Sequence, residues 1–389
     1  MKTATRLWSH GFIRTLSGLA IVAAPTCALF FGLVSTEGAN TPSAAVQALS
    51  SVVVNADPAS GKTDPTAVAG SMSCVECHKS EIAALKVSKH NSSITLITSH
   101  PKIAEFAKAA NVALEDVLQD SICSSCHATQ QDTGKGVHAI GSVSCESCHG
   151  GASGKPEWLK LHGDKKKGIN AAVRAACGKA GMIRASNIYR ITKNCVGCHV
   201  VSNQALVNAG HPVSTQKWKF ELVGGSSGEV RHNFQVDQKV NGEAPTAWLK
   251  HAKGASEENR QRMKYLIGML VDLEVTLGAL KTVPKAAGKS DFAKGHAKRL
   301  KAVAKKLKEA VKELEDTTPA ELAAAQEAID DIGRISSLNF KSQDGAEIAE
   351  PKIAAAASAL AENNDGSKLG KLDSVVKKRA KPRGDAYTP

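Results

Sequence analysis

The stretch Val143-Ser-Cys145-Glu-Ser-Cys148-His149-Gly-Gly151 contains a Cys-x-x-Cys-His motif, and the chain carries three more. In this motif two thiols add to the vinyl groups of a porphyrin, and the imidazole that follows binds the iron. Zinc ribbons and thioredoxin-like redox pairs also use Cys-x-x-Cys, but four copies each followed by histidine are not expected by chance. The sequence therefore predicts four covalently attached c-type haems, each held by two thiols and one proximal histidine. The predicted attachment residues are Cys74, Cys77, His78, Cys123, Cys126, His127, Cys145, Cys148, His149, Cys195, Cys198 and His199.

The composition supports this interpretation and argues against nucleic-acid binding. Aromatic residues make up only 4% of the 389 residues, and four porphyrins would supply much of the missing flat apolar surface. The net charge of +13 comes from basic residues that do not alternate with aromatics. The propionates of four haems would offset much of this charge. We expect lysines and arginines near the haem edges to bind propionates or to dock an acidic redox protein.

The N-terminus predicts export. Basic residues precede an apolar run from Leu19 to Val34, whose length is typical of a signal peptide and short for a membrane span. Residues 1–39 are therefore predicted to be a signal peptide or, because Glu37 makes a poor cleavage site, an uncleaved N-terminal anchor. In either case the haem region is expected to be periplasmic or otherwise extracytoplasmic.

The pattern along the chain predicts a mainly α fold with four parts after the N-terminal segment. A flexible linker (40–70) precedes a tetrahaem module (71–250) of short helices and long loops around four haems. Apolar residues at helical spacing then predict a C-terminal helical hairpin or bundle (256–365). The last part (366–389) is rich in Lys and Arg beside Pro and Gly and is predicted to be disordered.

Individual helices can be placed within these parts. Short helices are predicted at Lys79–Ser88 and Ile103–Ala110 in the haem module. The predicted C-terminal helices are one of about 25 residues beginning near Ser256, one from Phe292 to Leu314, one capped by Asp316-Thr-Thr-Pro319 and a weaker one from Pro351 to Leu360.

Haem chemistry depends on the sixth iron ligand. Histidines outside the motifs cluster between residues 90 and 232, whereas only Met72 and Met182 lie nearby as methionines. Bis-histidine ligation is therefore expected for most of the haems.

The order of these features over residues 71–235 resembles the tetrahaem cytochrome c-554 family of exported electron carriers. The features are Ser88-Lys-His90 after the first motif, the stretch from Val143 to Gly151, and His162 after the third motif. The resemblance implies that His90 completes the haem at His149 and that His162 completes the haem at His78.

The other two sixth ligands are less constrained. His211 is predicted to serve the fourth haem, because the following proline fixes a turn, and His232 is the second choice. The second haem is five-coordinate in the family's namesake, but His138 has no obvious counterpart there and could close the site. The remaining histidines are expected at the surface or beside the ligands; they are His100, His251 and His296.

Closely packed bis-histidine haems predict an electron carrier and not an enzyme. The resemblance implies a multihaem oxidoreductase upstream and a membrane cytochrome downstream as partners. Two alternatives remain: an enzyme that converts nitric oxide, nitrite or hydroxylamine at an open haem, and a subunit of a conductive filament that shares histidines between copies.

Overall fold

The computed structural model describes residues 62–164, 170–214, 220–228, 230, 256–284, 287–335 and 343–379. The predicted N-terminal signal or anchor, most of the linker, His232 and His251 lie outside these residues. Among the described residues, no helix is both long enough and apolar enough to span a membrane.

The haem-motif segment consists of short helices joined by loops, as the sequence predicts. Its helices are α1 Lys79–Val87, α2 Ser93–Thr98, α3 Ile103–Ala109, α4 Ser124–His127, α5 Cys145–His149, α6 Trp158–Gly163, α7 Ala171–Lys179, α8 Ile188–His199, α9 Gln204–Asn208 and α10 Leu222–Gly225. The second, third and fourth motifs lie at the C-terminal ends of helices α4, α5 and α8. In these three motifs the proximal histidine is the last residue of its helix. The mainly α fold class is thereby confirmed.

A β-hairpin between the second and third motifs was not expected. Strands β1 (Ala128–Asp132) and β2 (Val137–Ser142) pair antiparallel, with a bulge between Thr129 and Gln130. The turn is closed by the Asp132 carboxylate, which accepts hydrogen bonds from the N–H groups of Gly134 and Gly136 at 2.8 and 3.2 Å. Both glycines have positive φ, which favours glycine sterically. The strands carry few large apolar residues, so they show no alternating hydrophobic pattern.

The C-terminal part is a set of packed helices: α11 Glu257–Lys281, α12 Asp291–Leu314, α13 Ala320–Ile335, α14 Gln343–Asn363 and α15 Asp373–Arg379. Serines begin the two long helices, since Ser256 Oγ accepts from the Asn259 N–H and Ser290 Oγ accepts from the Ala293 N–H. The predicted helical hairpin or bundle is therefore present.

Two predicted boundaries differ from the structure. Helix α14 begins well before Pro351 and continues through it, because α14 packs along both α11 and α13. Helix α15 lies inside the segment predicted to be disordered. Asp373, the first residue of α15, accepts two hydrogen bonds of 2.7 and 2.9 Å from Arg262 of α11.

One hydrophobic cluster includes residues from both the haem-motif segment and the C-terminal helices. From α8 and the residues after it come Ile188, Tyr189, Val196, Val200 and Val207. From the C-terminal helices come, among others, Leu266, Leu270, Leu273, Phe292, Leu307, Leu322, Ile353 and Leu360. The division at residues 250–256 stays a prediction, but α8 packs directly on α11.

Candidate haem sites

The third motif is fixed by the buried side chain of Glu146, which is 1% exposed. Its carboxylate accepts hydrogen bonds from the N–H groups of Ala69 and Ala152 at 2.8 Å and of Gly70 at 2.7 Å. Residues 69 and 70 precede the first motif by only a few positions. Glu146 thus ties the approach to the first motif onto the third, and this end of the predicted linker is part of the folded structure.

The two glycines after His149 are required by close backbone contacts. Gly150 has φ of +85°, and a Cβ there would lie 2.5 Å from the Gly181 carbonyl oxygen. A Cβ on Gly151 would lie 2.7 Å from Ala67. The Gly-Gly pair therefore allows the chain on both sides to close around the third motif.

His149 itself is oriented by a reciprocal pair of hydrogen bonds with Ile183. Its Nδ1 donates to the Ile183 carbonyl oxygen at 2.8 Å, and the Ile183 N–H donates to the His149 carbonyl oxygen at 2.8 Å. Because a carbonyl can only accept, the neutral ring carries its proton on Nδ1 and its lone pair on Nε2. This is the tautomer that a metal-binding imidazole needs.

His78 of the first motif faces His162 of α6. Their ring centroids are 5.9 Å apart, and the ring planes are parallel to within 8°. Burial is the main cause that lowers the pKa of His162 to about 4, with smaller contributions from nearby Arg184 and His78. His162 is therefore neutral near pH 7 and has a lone pair available for a metal. The structure thus brings together the two histidines that the family resemblance pairs.

His199 of the fourth motif faces His90, with ring centroids 6.1 Å apart and planes at 82°. Phe220 stacks on His199 at 4.2 Å. The resemblance implied that His90 serves His149, whereas here it lies against His199. A hydrogen-bonded junction sets this position, because Ser93 Oγ donates to the carbonyl oxygen of His90 at 2.7 Å and lies 2.6 Å from that of His127.

His127 of the second motif has His211 and His100 as neighbours. The pKa of His127 is lowered to about 4, first by burial and then by the electrostatic effect of having these two titratable rings nearby. His211 donates from Nδ1 to the Pro212 carbonyl oxygen at 3.0 Å, which leaves the lone pair on Nε2. In His100, by contrast, Nδ1 accepts from the Lys102 N–H at 3.1 Å, which leaves the proton on Nε2. The structure thus brings His211 near the second motif, whereas the sequence led us to assign it to the fourth haem; that assignment stays a prediction.

His138, predicted as the second haem's ligand, lies in β2. Its Nδ1 is 3.3 Å from the Gly136 carbonyl oxygen, and its backbone pairs with Gln119. The described contacts do not connect its ring with His127.

His296 was expected at the surface or beside the ligands, and it is fully buried in α12. Its Nε2 lies 3.0 Å from the Val201 carbonyl oxygen, two residues after His199. Burial lowers the pKa of His296 to about 4. Its position at an apolar helical spacing within the predicted second helix was the signal in the sequence for this supporting role.

The motifs also contact one another. The thiol of Cys74 lies close enough to that of Cys145 for the two to shift each other's pKa, and the same holds for Cys126 and Cys198. The Asn194 side chain of α8 donates to the Cys148 carbonyl oxygen at 2.8 Å. The attachment points of the first and third motifs, and of the second and fourth, are thus adjacent.

The arrangement of the histidines and cysteines differs from that of a zinc ribbon. Within the described ranges, no three or more His, Cys, Asp or Glu side chains are grouped so that they could hold a metal ion directly. A zinc ribbon brings four such ligands to one point. Here each motif instead presents two thiols and one imidazole, the donor set that attaches haem.

These features define the chain as a c-type cytochrome, a protein that binds haem covalently through Cys-x-x-Cys-His. The family comparison agrees, because residues 73–150 match the family described as cytochrome c554 and c-prime. This stretch resembles that family and includes the first three motifs, whereas the fourth motif and the C-terminal helices lie beyond the match. No curated protein and no solved structure matches the chain.

Proposed function

We propose that the protein is an exported tetrahaem electron carrier in which most irons have two histidine ligands. The observation that carries this proposal is the spacing of the two pairs His78–His162 and His90–His199, at 5.9 and 6.1 Å. Metal–imidazole bonds are about 2 Å long, so two imidazoles on opposite sides of one iron have ring centroids about 6 Å apart. Each pair combines one motif histidine with one histidine from outside the motifs.

The contacts also support a ligand for the second haem. His211 is near His127, and its hydrogen bond to Pro212 leaves Nε2 free for the iron. We therefore assign His162 to the first haem, His211 to the second and His90 to the fourth. His149, with its lone pair on Nε2, is the proximal ligand of the third haem.

The surroundings of His162 supply donors that suit haem propionates. Trp158 Nε1 and Arg184 Nε are buried and have no hydrogen-bond partner among the described residues. The Trp158 ring lies 6.2 Å from the His162 ring, and Arg184 Nη2 lies 3.5 Å from His162 Nδ1. An imidazole bound to iron through Nε2 carries a proton on Nδ1, so three N–H donors in this region would then lack an acceptor among the described residues. A propionate carboxylate would satisfy them.

Electron transfer is favoured by the way the chain holds the four sites. When bound, haem supplies a one-electron iron couple whose potential the ligands and their surroundings set. Adjacent attachment cysteines, such as Cys74 and Cys145, bring porphyrin edges close together. Two histidine ligands close both axial positions, which leaves no position for a substrate at that iron. The role of the polypeptide in electron transfer is to hold the haems in fixed positions relative to one another.

Partners and location follow as part of the proposal. An exported carrier of this kind would exchange electrons with other redox proteins, such as a multihaem oxidoreductase and a membrane cytochrome. It would work in the periplasm or elsewhere outside the cytoplasm, because c-type haem is attached there.

The test is electron paramagnetic resonance of the purified, haem-loaded chain, together with a pyridine haemochrome assay. We expect four haems per chain and mainly low-spin ferric signals. His162→Ala, His90→Ala and His211→Ala should each convert one low-spin haem to high spin, because each removes one sixth ligand.

Two matched variants serve as controls. His100→Ala removes the other histidine near His127, and His138→Ala removes the ligand predicted from the sequence; neither should change the spin state. If His100→Ala or His138→Ala creates the high-spin centre and His211→Ala does not, the assignment of the second haem is wrong. A wild-type chain with fewer than four haems would contradict the tetrahaem proposal itself.

A further inference from the structure

One face of α12 carries a continuous row of lysines. They follow one another at spacings of four and three residues, and all six side chains belong to exposed residues: Lys294, Lys298, Lys301, Lys305, Lys308 and Lys312. At 3.6 residues per turn and 1.5 Å per residue, they fall within an arc of about 80° over a length of about 27 Å. We call this row the lysine stripe.

Few acidic side chains among the described residues pair with the stripe. In the described part of the chain, its ion pairs are long ones within the helix, Lys294–Asp291 at 4.0 Å and Lys305–Glu309 at 3.9 Å. Like charges at these spacings destabilise a helix. A face that only needed solvation would carry both signs. The lysines of the stripe therefore repel one another, and a negatively charged partner would reduce this repulsion.

The opposite face of α12 packs on the segment from Val201 to Ser214, which follows the fourth motif and includes His211. His296 Nε2 contacts the Val201 carbonyl oxygen, the Phe292 N–H donates to Asn208 at 2.9 Å, and Arg299 donates to Ser214 at 2.9 Å. A partner on the lysine stripe would thus lie about one helix diameter, some 10 Å, from this segment.

The chemistry of the stripe distinguishes among anionic partners. A helix that inserts into a membrane surface needs an exposed apolar face, but the apolar residues of α12, such as Leu300 and Leu307, are buried in the core. Sites for single-stranded nucleic acid combine positive charge with aromatic side chains on which bases stack, and the stripe contains neither aromatics nor arginine. The lysine ammonium groups form a row of exposed positive charges, and a row of carboxylates on the surface of a protein is complementary to it.

We propose that the lysine stripe is a docking surface for a protein partner that presents a carboxylate-rich face. Identifying this partner as a redox protein rests on the proposed function, because steered, salt-sensitive association suits rapid exchange of electrons. The docking surface itself does not require haem chemistry.

The experiment uses the haem-loaded full chain and a synthetic helical peptide with glutamates at matching four- and three-residue spacings. Binding is measured by fluorescence anisotropy at low and at physiological ionic strength. The triple variant Lys298→Gln, Lys301→Gln, Lys305→Gln should weaken binding about tenfold at low salt, since each exposed ion pair contributes little alone. Salt should weaken the wild-type complex.

The matched control removes three exposed lysines elsewhere, Lys368→Gln, Lys377→Gln and Lys378→Gln. It has the same net charge and should change the peptide's affinity less than about twofold, because these lysines lie off the stripe. Equal weakening in both variants would show attraction by net charge only and would overturn the proposal.

Phosphatidylglycerol-containing vesicles and a DNA duplex complete the test. Tighter binding of either one through the stripe than of the peptide would also overturn the proposal. The haem content and spin state of the stripe variant should match the wild type, so a failure here is distinguishable from a failure of the proposed haem assignments.

Discussion

Replacing Glu146 by glutamine tests whether its carboxylate ties the first motif to the third. The glutamine keeps one oxygen for the N–H groups of Ala69 and Ala152 but places an amide nitrogen opposite the N–H of Gly70. Hydrogen bonds to a charged group contribute about 1.5–3 kcal/mol and neutral ones about 0.5–1.5 kcal/mol. The three weakened or lost bonds therefore cost about 4–5 kcal/mol together, and the relief of a buried charge offsets part of this. We expect a net loss of about 3 kcal/mol in the free energy of unfolding.

Guanidinium unfolding of the haem-loaded protein, followed by Soret absorption, measures this loss. Hydrogen exchange gives a local readout, because the amides of residues 69 and 70 should exchange about 100-fold faster if 3 kcal/mol of local stability is lost. The control is Glu105→Gln, an exposed residue that pairs with Lys102 at 3.3 Å, which should change stability by less than about 0.5 kcal/mol. A Glu146→Gln protein that unfolds within 0.5 kcal/mol of wild type, with unchanged exchange, would refute the reasoning.

Three further predictions concern residues around the sites. Burial holds the folded-state pKa of His296 at about 4, against about 6.5 for an unperturbed histidine, so between these values the unfolded chain binds one more proton. Stability should therefore fall by about 3 kcal/mol as pH drops from 6.5 to 4, and His296→Gln should flatten that part of a pH series of unfolding curves. Arg299→Leu removes the partner that donates to buried Asp272 at 2.6 and 2.7 Å and should cost about 3–5 kcal/mol by denaturant titration; a loss under 1 kcal/mol would contradict the importance of the pair. Gly151→Ala places a methyl group 2.7 Å from Ala67 and should lower the melting temperature by several degrees, whereas an unchanged value would show that the backbone there can shift.

The attachment chemistry could be predicted from sequence because it is local. Both thiols and the proximal imidazole of each haem lie within five consecutive residues, so their types and order suffice. The long amphipathic helices were predictable for a similar reason. Their apolar residues repeat at the helical period, and Ser256 caps α11.

The pairing of histidines across the structure could not be predicted in this way. His90 lies near His199 and His211 near His127, and both contacts depend on how loops carry the chain between motifs. The β1–β2 hairpin, which sets the path from the second motif to the third, has no hydrophobic alternation to reveal it. The family order pairs His78 with His162, and the structure places these two rings 5.9 Å apart, although His162 lies beyond the residues 73–150 that match the family.

Helix α14 and helix α15 were misplaced because tertiary packing overrode local signals. Pro351 favours a helix start, yet the neighbours of α14 stabilise additional turns before it. The basic composition of α15 suggested disorder, but its ion pair with Arg262 and the buried Val376 hold it in place.

The position of α8 makes the surroundings of the fourth motif depend on a part of the chain that is translated later. The helix carries the fourth motif at its C-terminal end, and Tyr189 and Lys193 on its side bond to buried Glu274 of α11. Residues of α11 are translated long after the motif itself, and α11 is in turn packed by α14 and α15 near the end of the chain. A nascent chain that has passed residue 230 thus has all four motifs but lacks the surface that supports α8. The structure around the fourth motif therefore depends on residues that are translated after it, whereas Glu146 and the contacts around the third motif lie on residues that precede the fourth.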